Sequence, residues 1–126
     1  MTEQTTSAQP WWRRWSRSTA QLDAESLQQS AQRHGATPIS ACELGQRCHI
    51  RGVLRSVTLR PQAGVPAVSA QLFDGTSTVT LIWLGRRRIV GIEPGRVLSA
   101  HGRVNTQAGE LVMFNPQYEL ARHLDD

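Results

Sequence analysis

The chain has 126 residues, 39% of them apolar and 6% aromatic, a size that suits one compact domain. No apolar run approaches the roughly 18 residues of a membrane-spanning helix. The opening MTEQTTSAQPWW lacks the basic flank and apolar stretch of a secretion signal, so a cytoplasmic location is the default expectation. The formal net charge is +4 and all 14 basic residues are arginine. Nine of these (Arg47, Arg51, Arg55, Arg60, Arg86, Arg87, Arg88, Arg96 and Arg103) lie between Gln46 and Thr106 beside only Asp74 and Glu93, so this segment carries +7. A field of that sign favours a polyanionic partner.

Along the chain, residues 1–17 read as a disordered tail that carries the cluster Trp11, Trp12 and Trp15 with Arg13, Arg14 and Arg17. In LDAESLQQSAQRHG, Asp23 is placed to cap a helix, Leu22 and Leu27 occupy hydrophobic-staple positions, and Gly35 supplies a left-handed stop. The apolar stripe of this helix, Ala20, Ala24, Leu27 and Ala31, is thin, so the helix must lean on a larger body. Helix and connector together span 18–43. Cys42 and Cys48 lie six residues apart with only His49 as a further ligand nearby, which predicts buried or incidental thiols with no metal, redox or cofactor role.

From Gln46 the pattern alternates. QRCHIRGVLRSVTLR predicts a long first strand bent or bulged at Gly52, followed by a Pro/Gly turn over 61–66. AVSAQLF and TVTLIWL predict two strands around the Asp74-Gly75 turn. The link 85–95 has room for about one helical turn. RVLSAHGRVN and ELVMFN predict a fourth and a fifth strand, with Pro116 ending the sheet and QYEL closing against it. Five short antiparallel strands avoid exposed edges by closing, so the fold expected over 44–120 is mainly β: a five-stranded Greek-key barrel behind one N-terminal α-helix, with a tail over 121–126.

The pieces GVLRSV, AQLFDGT, TVTLIWL, IEPGRV, HGRV and FNPQYEL, in that order, resemble the OB-fold. The type they resemble is the tRNA-anticodon-like domain found in the wedge of RecG-type branch-migration helicases and in class II aminoacyl-tRNA synthetases, here as a short stand-alone bacterial protein. No helicase or synthetase domain accompanies it, so neither activity carries over. The resemblance implies binding of single-stranded nucleic acid, DNA slightly before RNA, across strands 2 and 3 and the adjoining loops.

Alternation then assigns Ser69, Gln71, Phe73, Thr80 and Ile82 to the outer platform, with Val68, Ala70, Leu72 and Trp83 inward. Phe73 is the stacking residue expected on it. Arg51, Arg55, Arg60, Arg86, Arg87, Arg88 and Arg103 are the expected phosphate contacts, because a guanidinium grips a phosphate with two donors and stacks on bases. Catalytic motifs are absent from the sequence: there is no phosphate-binding glycine loop, serine elbow or paired-histidine metal motif. The alternative reading is a protein-interaction adaptor that uses the barrel, the N-terminal helix and the tryptophans, since fold alone does not settle function.

Overall fold

The computed structural model describes residues 24–122. The tryptophan cluster, the tail over 1–17, the capping positions Leu22 and Asp23 and the last residues 123–126 lie outside the described residues.

Helix α1, through 24–33, ends at Gly35 with φ +72°, the left-handed stop that its position predicts. A 3-10 turn, Ile39–Ala41, leads into β1 (Arg47–Leu59), β2 (Ala67–Phe73), β3 (Thr78–Leu84), β4 (Val97–Gln107), β5 (Glu110–Phe114) and β6 (Gln117–Ala121). The strands pair in the order β1-β2-β3-β5-β4, and β1 also pairs with β4, which closes a five-stranded ring. All pairings are antiparallel except β3 with β5. This is the OB-fold barrel, preceded by one helix.

Closure depends on β1 serving two partners. Arg47–Val53 pairs with β4 and Val53–Leu59 pairs with β2. At the changeover a Cβ on Gly52 would collide with the Phe73 carbonyl, so only glycine lets the two backbones approach. Two residues on, the register slips between Leu54 and Ser56, making Arg55 the bulged residue. The bulge reverses which residues face outward, from odd positions before it to even positions after it.

Inside, Ile50, Leu54, Leu72, Leu81, Trp83, Leu98 and Met113 form one core with Ile39 from the connector and Ile89 and Ile92 from the link. Trp83 points inward, and its indole N–H donates to the Pro116 carbonyl at 3.1 Å. The link 85–96 forms no helical turn, and it reaches the core through its two isoleucines alone. Pro116 does not end the sheet. Asn115, at φ +51°, turns the chain so that β6 resumes pairing along β4, from Val97↔Ala121 to His101↔Gln117. Beyond a proline the lost N–H matters only at its own position, so the following residues can re-enter a sheet.

The expectation of buried or incidental thiols is also corrected: Cys42 and Cys48 form a disulfide. The 3-10 turn folds the chain back so that their Cα atoms stand 6.4 Å apart, within disulfide reach. Such a bond persists in an oxidising milieu and is reduced in the cytosol.

One side chain ties the connector, the turn and α1 together. Asp74, 1% exposed, accepts the Thr76 N–H, the Thr76 hydroxyl and the Ser77 N–H on Oδ1 at 2.9, 2.6 and 3.1 Å. Its Oδ2 accepts the Ile39 N–H at 2.8 Å. The turn so held presents Gly75 to α1: its carbonyl accepts from Gln28 Nε2 at 3.0 Å, and the Ala24 carbonyl lies where a Cβ would be. In Asp74→Asn one of the two oxygens becomes a donor facing a donor. We expect a loss of about 2 kcal/mol of stability, the usual cost of an unmet buried hydrogen bond. It should appear in urea unfolding as a lower midpoint with an unchanged slope; an unchanged midpoint would show that Asp74 is dispensable.

Candidate functional site

Four strands build one continuous outer face. The registers align Ser56, Gln71, Thr80 and Val112 in one row across β1, β2, β3 and β5. Thr58, Ser69, Ile82 and Phe114 form the next row. Together they make a shallow groove whose floor is Ser69, Ile82 and Val112, the last two packed in a small cluster with Ala67 and a partly covered Phe114. Its walls are hydroxyls and amides; Ser56 Oγ donates to Gln71 Oε1 at 3.2 Å. Arg60, Pro61 and Gln62 from the β1–β2 loop and Gln107, Ala108 and Glu110 from the β4–β5 hairpin frame it. Gln107 Nε2 donates to Gln62 Oε1 at 3.3 Å, bridging the two loops.

Of the residues that the sequence assigns to a site, the structure brings Arg60, Ser69, Gln71, Thr80 and Ile82 together in this groove. Ser69 and Ile82 lie on the outer face, yet they are only 7% and 1% exposed. They form its floor and offer a ligand little more than surface contact.

Phe73 belongs to the next row, between Val53 and Thr78, and the Arg55 guanidinium lies 3.9 Å over its ring. The one aromatic expected to stack on a base is therefore already stacked on by an arginine of the same chain. Among the described residues no aromatic lines the groove; the nearest by register is Phe114, at the end of the Thr58–Ser69–Ile82 row, which the sequence reading did not single out. Alternation along β5, with Leu111 and Met113 toward the core and Val112 and Phe114 away from it, carries that signal.

The arginines disperse. Arg51, 4% exposed, is buried beneath α1, where its Nε donates to Ser30 Oγ at 3.0 Å and a terminal nitrogen to Ser99 Oγ at 3.3 Å. It joins helix to barrel and does not face the groove. Arg86, Arg87 and Arg88 are exposed in the link that leaves the sheet two residues past Ile82. Arg103 stands on the outer face of the β1–β4 pair, directly across from Arg47. The groove itself holds one arginine, Arg60, against one acid, Glu110.

On that β1–β4 face His49 lies across from His101, and their rings stack at 4.1 Å between centroids, 10° from parallel. The two lie on different strands, and only the cross-strand register brings them together. Among the described residues no three His, Cys, Asp or Glu side chains gather as a metal-ligand set, and no helix is long and apolar enough to cross a membrane.

No protein-family profile matches the chain, and no curated protein matches it. Among solved structures, the crystal structure of the p204 HINb domain is similar, with a TM-score of 0.58 and 14% identity over 72% of this chain and 49% of that chain. The chain thus spans about half the length of that neighbour. The likeness is one of fold.

Burial, and after it the neighbouring His101 and Arg51, holds His49 below the usual histidine value of 6.5, against the opposing pull of Glu119 and the Gly35 backbone. The folded state therefore prefers the neutral ring. The unfolded chain takes up its proton first as pH falls, so this contribution is complete above about 6.5 and is lost as pH drops through the folded value. We expect the urea midpoint to fall between pH 7.5 and pH 5.5, and the fall to be smaller in His49→Gln. An equal fall in both proteins would place the effect elsewhere.

Proposed function

We propose that this chain is a non-catalytic module that binds single-stranded nucleic acid along the groove across β1, β2, β3 and β5. The observation that carries this reading is the pair of cross-strand rows: a floor of Ile82 and Val112 with Ser69, inside walls of Ser56, Thr58, Gln71 and Thr80. Bases can lie on such a floor while their edges and sugars meet hydroxyls and amides, and neither contact demands one particular base. The two framing loops are those that OB barrels use to hold oligonucleotides. Arg60 at the rim and Arg86, Arg87 and Arg88 beyond the end of β3 are positioned to meet phosphates, contacts that orient a strand without reading it. With Phe73 engaged by Arg55 and no aromatic lining the groove, affinity is modest and sequence preference low. A preference for DNA over RNA follows from the resemblance to helicase wedge domains, and a bacterial setting from the resemblance to short stand-alone bacterial OB proteins.

The adaptor reading draws on one feature. Leu59, Val65 and Leu84 are 54%, 42% and 39% exposed, at the end of β1, in the β1–β2 loop and at the end of β3. Apolar side chains exposed on a surface suit a protein partner.

Fluorescence anisotropy with labelled single-stranded DNA, duplex DNA and RNA of about 20 nucleotides, longer than one OB site, separates the two. We expect single strands to bind best and binding to weaken with salt. Gln71→Glu with Thr80→Glu should weaken it about tenfold, equivalent to ~1.4 kcal/mol. Equal, negligible binding of all three probes at low salt would sink this function and favour the adaptor.

A further inference from the structure

The arginine excess and the groove do not coincide. With Arg60 set against Glu110, the groove lining is neutral, whereas on the outer face of the β1–β4 pair Arg47 and Arg103 stand opposite one another, with Glu119 of β6 further along in register with Ser99. On β1, Cys48 and Ile50 pack toward the core, and on β4 Ala100 and Val104 do so. The alternation sends Arg47 and His49, Arg103 and His101 outward. Both arginines are exposed. Arg103 is anchored by a hydrogen bond from its guanidinium to the Gly45 carbonyl, and the stacked imidazoles lie beside the pair.

Like charges directly opposite on neighbouring strands oppose pairing. The pairing of β6 along β4 stops at His101↔Gln117, so no acidic residue of β6 comes into register with Arg103. An anion between two guanidinium groups reverses the sign of that interaction, and phosphate oxygens match the planar donors of arginine. Arg47 and Ser56 are nine residues apart along β1. At ~3.3 Å per residue this is up to about 30 Å, more than one or two nucleotides span.

We propose that the exposed Arg47–Arg103 pair, beside the His49–His101 stack, is a second contact surface for the phosphodiester backbone of nucleic acid, separate from the groove. The inference rests on the nucleic-acid reading above and extends it: a strand held at the groove continues around the barrel and is gripped again, by its backbone alone, on the β1–β4 face.

The test uses the full chain, the variant Arg47→Gln with Arg103→Gln, and a labelled oligo(dT) of about 20 nucleotides, titrated by anisotropy over a salt series. Each phosphate contact on a single strand contributes about 0.7 to the slope of log affinity against log salt. The double variant is expected to lose affinity and about 1.4 of that slope, while its urea midpoint stays at or above that of the parent because the repulsion is gone. Gln71→Ala with Thr80→Ala is expected to lose affinity with the slope retained. A parent that binds and a double variant with the same salt slope would overturn the second surface while leaving the groove reading intact. A parent that binds no oligo(dT) at low salt would overturn the function itself, and this surface with it.

Discussion

The architecture hangs on the buried carboxylate of Asp74. Nearly all of its acceptor capacity is directed at backbone N–H groups and one hydroxyl from two distant parts of the chain, the β2–β3 turn and the connector before β1. A charge removed from water is tolerated only when donors surround it, and here the donors are mainly main-chain groups that would otherwise be unmet themselves. The consequence reaches both ways. The turn is held in the shape that receives α1 on Gly75, and Ile39 is drawn into the core. The helix, too thin in apolar surface to stand alone, is thereby given a place, which Arg51 secures from the other side through Ser30.

A second constraint, the double pairing of β1, shapes the surface. Gly52 permits the close approach, and the Arg55 bulge reverses facing along the strand. Before the bulge the outward residues are Arg47 and His49, then Arg51 under α1 and Val53 beside Phe73; after it they are the hydroxyls Ser56 and Thr58, which join the groove. One strand therefore contributes two surfaces of opposite character, a basic face shared with β4 and a neutral one shared with β2. The distribution explains how a segment with a charge of +7 can present a groove with almost none. It also divides the physical roles: dispersion and hydrogen bonding at the groove, and long-range, salt-sensitive attraction elsewhere on the barrel.

Period-two alternation and turn chemistry determined much of this protein without reference to its fold. Val68, Ala70 and Leu72 against Ser69 and Gln71, the Asp74-Gly75 turn, the inward Trp83 and the stop at Gly35 follow from local rules, because a strand has only two faces and few residues tolerate a left-handed backbone. Five such strands in so short a span leave closure as the economical outcome. Tertiary structure alone decided what depends on two segments meeting. Arg51 and Arg103 look alike in the sequence, yet one is buried under a helix and the other faces solvent across from Arg47, since burial is set by what arrives from elsewhere. Phe73 is outward as alternation requires, but a bulged arginine occupies it; Val112 reaches the groove only because β5 lies parallel to β3. Cys42 meets Cys48, and His49 stacks on His101, through a chain reversal and a cross-strand register that no spacing of residues encodes.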